Sequence, residues 1–286
     1  MITCFSRCNT KTVINDDHSI QVIAQADIEA GQEITNQYMK ADKPTIYRRP
    51  FLRQKWFFDC CCPRCSDPTE RGSNLSSLLC PRRKCGGSVV PSRPLDNNSD
   101  WSCLSCGAIT FLDKVQTVLE EAAELIASPA QEEGVVEHYE RIIHQLSSQL
   151  HPYNHLLIDI KQRLALLYGN VAQYSMGNMG RPEKQRKLQL CMEVMDCLGK
   201  VRIIMYIIKL MVPFAQVETS GYTPWRVKML AELTKTKVAI ARENFSRGLL
   251  SEAGLKAVLM QNKFLLTYIA YQQVAVTGRG KCGVRK

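Results

Sequence analysis

The sequence predicts an α+β chain in which cysteine-organised segments precede a block of helices. Two observations predict it. Ten of the thirteen cysteines lie before residue 107, eight of them at short spacings, and from Phe111 onward the apolar residues recur at three-to-four spacing. At 286 residues the chain is long enough for about two domains and a sizeable core. No N-terminal stretch combines a basic start, an apolar run and a small-residue cleavage site, so secretion is not signalled. Clustered cysteines in such a chain point to metal rather than to disulfides, and a reducing compartment is expected: cytosol, nucleus or both. The most apolar segment, "VRIIMYIIKLMVPFAQ" at 201–216, carries Arg202 and Lys209 and meets Pro213. It falls short of the roughly 20 apolar residues a membrane span needs, so no membrane association is expected.

The first cysteine group lies in "FFDCCCPRC", residues 57–65. In extended chain neighbouring side chains point to opposite faces, so Cys60 and Cys62 share a side while Cys61 faces away. A turn through Pro63 and Arg64 then brings Cys65 round. Cys60, Cys62 and Cys65 therefore make three ligands of four, and the fourth must come from elsewhere. The cysteines upstream are Cys4 and Cys8. The second group, "CPRRKC" at 80–85 and "CLSC" at 103–106, is a pair of short knuckles. Four thiolates at Cys80, Cys85, Cys103 and Cys106 suit one tetrahedral structural zinc, with Gly86, Gly87 and Gly107 easing the turns beside the ligands. A closed site of this type holds a fold and performs no chemistry. Phe57 and Phe58, on their own residues alone, read as core.

The order "DIEAGQEITNQY" (27–38), "RRPFLRQKWFFDCCCPRC" (48–65), a four-cysteine insert and then helices resembles the SET and MYND domain (SMYD) protein-lysine methyltransferases, most closely the arthropod SmydA branch. The resemblance implies a small β-rich C-terminal part of a SET domain at 1–50 and a post-SET zinc segment at 51–66. It further implies a zinc-ribbon-like insert at 67–110, a helical tetratricopeptide-like domain at 111–270 and a basic tail, expected to be disordered, at 271–286. It implies methyl transfer from S-adenosylmethionine to a lysine amine, with the Tyr38 hydroxyl beside the transfer axis and Phe58 stacked on the cofactor's adenine. It also implies a protein substrate or partner met through the helical domain. Phe57 keeps its reading as core.

Two departures from the family pattern shape the expectation for this chain. The family's Asn-His-Ser-Cys-x-Pro-Asn motif supplies the fourth zinc ligand, and the corresponding region here reads "CFSRCNTKT". If Asn9 takes the final asparagine's place, Ser6 stands where the cysteine should. If Cys8 is the ligand, one residue is deleted after it. Neither register restores Asn-His. The glycine-rich cofactor loop, the MYND module and the first SET strands are not found upstream, so the 286-residue chain by itself is expected to be inactive and to bind S-adenosylmethionine weakly. The alternative is a non-catalytic, zinc-containing protein-interaction module. Residues 1–6 and 201–216 also read as possible intron read-through: "VR" after Lys200 can be encoded as a splice donor, and removing 201–216 joins "MEVMDCLGK" to "VETSGYTPWR". An ordinary apolar helix at 201–216 stays open.

The helical periodicity covers "FLDKVQTVLEEAAELIASP", ended by Pro129, then "GVVEHYERIIHQLSSQLHP" and "NHLLIDIKQRLALLYGN" with Asn154 as cap and Gly169 as stop. "PEKQRKLQLCMEVMDCLGK" and "WRVKMLAELTKTKVAIARENFSRG" follow. His138, His144, His151 and His155 are scattered on these helices and read as surface or packing residues. The net charge of +10 is spread along helix faces, with clusters only at "RRP", "PRRK" and the tail. These read as solvated surface, and without interleaved aromatics no nucleic-acid partner is expected.

Overall fold

A computed structural model of the chain describes residues 9–24, 27–36, 38–39, 42–129, 134–201 and 224–263. Cys4, Cys8, residues 1–6, residues 202–216 and the tail 271–286 lie outside the described residues, and with them the expected fourth ligand. The chain divides into two compact units, Met1–Ile160 with Cys197–Gly221, and Lys161–Asp196 with Tyr222–Lys286.

The first unit opens with an antiparallel hairpin of β1 (Thr10–Ile14) and β2 (Ile20–Ala24). Its turn is built by Asp17, whose carboxylate accepts the Ser19 N–H at 2.9 Å and hydroxyl at 2.6 Å, while His18 takes the left-handed φ of 63°. Every side chain of β2 is exposed. Asn9 clamps the later "EIT" segment to the base of this hairpin. Its carboxamide oxygen accepts the Thr35 N–H at 2.7 Å, and its amide donates to the Glu33 carbonyl at 2.8 Å.

Helix α1 (Thr45–Trp56) follows, with Pro44 as its N-cap and the Thr45 N–H donating to the Glu70 carboxylate at 2.9 Å. Proline at the cap has no side-chain acceptor, so this orphan amide is satisfied by a carboxylate from a distant loop, which also suits the positive end of the helix dipole. Arg53 and Lys55 in the last turn suit the other end. The helix stops at Phe57, which adopts a left-handed conformation with φ 56° and donates its N–H to the Arg53 carbonyl at 3.2 Å. That turn reverses the expectation for this residue. Phe57 is 88% exposed and not core, because the left-handed cap swings its side chain outward while Phe58 points in.

A four-stranded antiparallel sheet, in the order β3-β4-β5-β6, carries the second cysteine group. The strands are β3 (Leu78–Leu79), β4 (Ser88–Pro91), β5 (Trp101–Cys103) and β6 (Ile109–Thr110), with Leu78, Val89, Val90 and Trp101 buried. Helices α2 (Leu112–Ala127) and α3 (Val135–Leu146) come next, burying Val115, Ala122 and Ile126 from the first and Val136, Ile142, Ile143 and Leu146 from the second. The chain then returns alongside β3: the Leu79 N–H donates to the Gln149 carbonyl at 2.8 Å and the His151 N–H to the Ser77 carbonyl. Asn154 caps α4 (His155–Leu167) by accepting the Leu156 N–H at 3.0 Å, and its amide donates to the Ser77 carbonyl at 2.9 Å. The second unit contains most of α5 (Arg181–Val201), with α6 (Pro224–Ser246) and a helical stretch at 252–263. Leu164, Leu190, Cys191, Val194 and Met229 are fully buried there. Among the described residues no helix is long and apolar enough to cross a membrane.

His155 sits buried at the start of α4, its ring edge-on to Tyr47 at 5.0 Å and its N–H on the Leu75 carbonyl at 2.9 Å. Burial outweighs the pull of the Asp159 carboxylate and holds its pKa down at about 4. The unfolded chain, titrating near the ordinary value of about 6.5, takes the proton first. Stability from this residue is therefore complete above about pH 6.5 and is lost as pH falls toward 4. Between pH 7 and 5.5 the unfolding free energy in urea should drop by about 1 kcal/mol on this account, and His155→Gln should remove that part of the slope. A slope unchanged in the variant would show that His155 titrates as an ordinary histidine.

Candidate metal centres and the aromatic cluster beside them

The first cysteine group folds into a buried knot at the C-terminal side of α1. The sulfurs of Cys60, Cys62 and Cys65 all lie within 4.8 Å of one another, and Cys61, between them in sequence, is exposed. The Ser66 N–H on the Cys62 carbonyl at 3.0 Å closes the turn that presents Cys65. Three sulfurs this close and this buried could hold a metal ion, with zinc the chemical match for a thiolate set. The Cys62 thiol is raised: the hydrogen bond from Cys60 lowers it, but the Cys65 thiol and burial outweigh that.

The knot is fastened by arginines that the sequence reading assigned to the surface. Arg48 and Arg49 of "RRP" are buried, which corrects that assignment. Arg48 donates to the Cys65 sulfur at 3.2 Å and to the Thr45 hydroxyl at 2.8 Å. Arg49 donates to the Cys60 carbonyl at 3.2 Å and to the Asn97 side chain at 2.8 Å, joining the knot to the four-cysteine insert. Arg64, inside the cysteine loop, is 1% exposed and paired with Glu70 at 3.2 Å. Each guanidinium is drawn inward by fixed acceptors, and a bare count of basic residues carries no trace of them.

On this knot lies an aromatic cluster. Tyr38 and Phe58 both pack against Leu52 and the three cysteines. The Tyr38 ring meets Phe58 edge-on at 5.7 Å and Trp56 at 5.0 Å, so it is wedged between two rings supplied by the end of α1 and the residue beyond its left-handed cap. Lys55 lies over Trp56 at 5.9 Å. Tyr38 and Phe58, singled out separately from the sequence, are thus in contact. Trp56 was missed, although its place two residues before Phe58 was the available signal.

The second group, within the sheet, has the dimensions of a closed tetrahedral site. Zinc–sulfur bonds of about 2.3 Å imply sulfur–sulfur edges of about 3.8 Å. Cys80 and Cys106 stand 3.6 Å apart, Cys85 and Cys103 3.7 Å, and all four sulfurs lie within 4.8 Å. Backbone bonds set the knuckles: Cys80 N–H to the Gly87 carbonyl, Cys103 N–H to Ala108 and Gly107 N–H to Cys103, each at 2.9 Å. Burial pushes the Cys80 thiol up to about 12. At Cys103 burial is outweighed by the Cys106 and Ser105 backbone N–H groups, and the thiol falls to about 7. One thiol ready to ionise beside one reluctant to do so gives a site that releases protons as it takes metal.

No family model matches the chain. Individual relatives do. SET domain-containing protein SmydA-8, isoform B, of Drosophila melanogaster is 42% identical over 88 residues, which are 31% of this chain and 20% of that protein. Histone-lysine N-methyltransferase SET5 of Candida albicans is 31% identical over 74 residues, 26% of this chain and 16% of that protein. Protein-lysine N-methyltransferase SMYD4 of Danio rerio is 27% identical over 175 residues, 55% of this chain and 22% of that protein. The chain therefore spans 16% to 22% of the length of these three curated relatives.

The glycines beside the second centre give a test. A Cβ on Gly87 would stand 2.5 Å from the Ser105 hydroxyl and 2.7 Å from the Cys103 sulfur, whereas one on Gly86 meets nothing within 4 Å and bears only the strain of φ +60°. Gly87→Ala should therefore release zinc from this centre as Cys103→Ser does. Gly86→Ala should retain it at a cost of about 1 kcal/mol in stability. Zinc content by atomic absorption checks both, and full zinc in Gly87→Ala would remove the four-cysteine assignment.

Proposed function

We propose that this chain, a member of the SET and MYND domain family, forms the tyrosine-bearing wall of an S-adenosylmethionine-dependent protein-lysine N-methyltransferase site. One observation carries the reading: Tyr38 and Phe58, twenty positions apart in sequence, are in ring contact on a cysteine knot fit for zinc. S-adenosylmethionine, when bound, supplies an electrophilic methyl group. The chain's own part is orientation and exclusion of water. Tyr38 would present its hydroxyl to a lysine amine that must be neutral to attack, and Phe58 would stack on the cofactor's adenine. Zinc at Cys60, Cys62 and Cys65, with a fourth ligand such as Cys8, would fix the Phe58 segment. Zinc at Cys80, Cys85, Cys103 and Cys106 would hold the insert. The helices from residue 111 to 270 would offer the surface for a protein substrate.

For the 286-residue chain alone, a second reading has its own support. Ile14, Ile20 and Val22 of the hairpin are each more than 60% exposed. The described residues place one aromatic wall for a cofactor, and misplacement of its methyl by about 1 Å already costs on the order of 100-fold. In this reading the chain acts as a zinc-braced interaction module.

Calorimetry separates the two. The 286-residue chain should show no saturable S-adenosylmethionine binding at micromolar concentration and no transfer of labelled methyl to histone peptides. The same chain extended at its N-terminus by a relative's SET segment should gain both. In the extended protein Tyr38→Phe should depress turnover with cofactor affinity nearly unchanged, while Phe58→Ala should weaken cofactor binding first. Robust transfer by the 286-residue chain, abolished by Tyr38→Phe, would overturn the second reading, and an extended protein indifferent to both substitutions would overturn the first.

A further inference from the structure

We infer that Arg48 is an outer-shell anchor of the three-cysteine centre, a role that rests on the zinc reading of that centre. Its guanidinium is 1% exposed and donates to the Cys65 sulfur at 3.2 Å. The same group is held by the Thr45 hydroxyl at 2.8 Å and the Lys43 carbonyl at 3.3 Å, so it is aimed from the first turn of α1. A thiolate bound to zinc keeps lone-pair density that an outer-shell donor can meet. The contact is then a charge-assisted hydrogen bond to a metal-bound thiolate, which orients the ligand and draws electron density from the sulfur. Arg48 is thus a positioning residue, acting on the metal through Cys65.

The Cys103→Ser background leaves the three-cysteine centre as the one loaded with zinc, and competition with a chromogenic chelator reads its affinity. In that background Arg48→Gln should weaken zinc binding by about 10- to 100-fold, the range for loss of an outer-shell partner. In cobalt(II)-loaded protein with all cysteines intact, Arg48→Lys should move a sulfur-to-metal charge-transfer band to lower energy, because an ammonium lacks the reach and fork of the guanidinium and the sulfur lone pair rises. A role confined to packing would leave that band in place. Absence of zinc from the Cys103→Ser parent overturns the zinc reading itself. Zinc in the parent, with equal affinity in a folded Arg48→Gln, overturns the Arg48 inference alone. If Arg48→Gln fails to fold, the cobalt band of Arg48→Lys decides, and an unshifted band overturns the inference.

Discussion

Glu70 is a single carboxylate on which three segments converge. It is 2% exposed, and it accepts the first amide of α1, the Ser76 hydroxyl and the Arg64 guanidinium. Helix α1, the cysteine loop and the lead into the sheet are thereby tied at one point. The site is also electrostatically tense. Burial, and next the like charge of Arg48, depress the Arg64 guanidinium, and Glu70 pulls it back. A carboxylate so placed cannot be exchanged for an apolar group without leaving a buried cation exposed to that repulsion. Glu70 itself adopts a left-handed φ of 54°, a conformation that costs a side-chain-bearing residue about 1 kcal/mol or more and persists because three partners fix it.

What the sequence disclosed divides along the range of the interactions involved. Both cysteine groups were legible because ligands of one ion must be close in space, and here they are close in the chain as well. Helices α2 to α6 were legible because each repeats its apolar positions over several turns. Tyr38 and Phe58 were singled out, one at a time, only through family resemblance, and their contact was not read at all, since no local pattern joins residues on either side of a helix. Arg48 and Arg49 were misread because charge, taken residue by residue, argues for water, while the groups that draw them inward come from Cys65, Cys60 and Asn97. Phe57 was misread for a different reason: whether a residue at a helix end faces in or out is decided by one backbone angle.

Among the described residues of the second unit, a buried ion pair does comparable work. Lys187 is fully buried on α5, bonded to the Tyr168 carbonyl beyond the end of α4 and to Glu232 of α6 at 2.6 Å. Lysine reaches both because Gly169, at φ +105°, leaves room: a Cβ there would stand 2.7 Å from the ammonium. Cys191, one turn along, lies in the same interior with its thiol pushed up to about 12 by burial. It is an inert packing residue, unlike the clustered cysteines of the first unit.

The four sulfurs of the second centre come from residues 80–106 and the three of the first from 60–65, whereas Leu75 and Ser77 meet His155 and Asn154 only after some eighty further residues. Closing a short loop is fast and closing a long one is slower and costlier in entropy. On a ribosome, both cysteine clusters can therefore close while α4 is still being made. The strip at 75–79 then waits as an open edge until the chain that covers it emerges. A metal ion arriving at that stage would find its cysteine ligands already adjacent, before the chain that covers the strip exists.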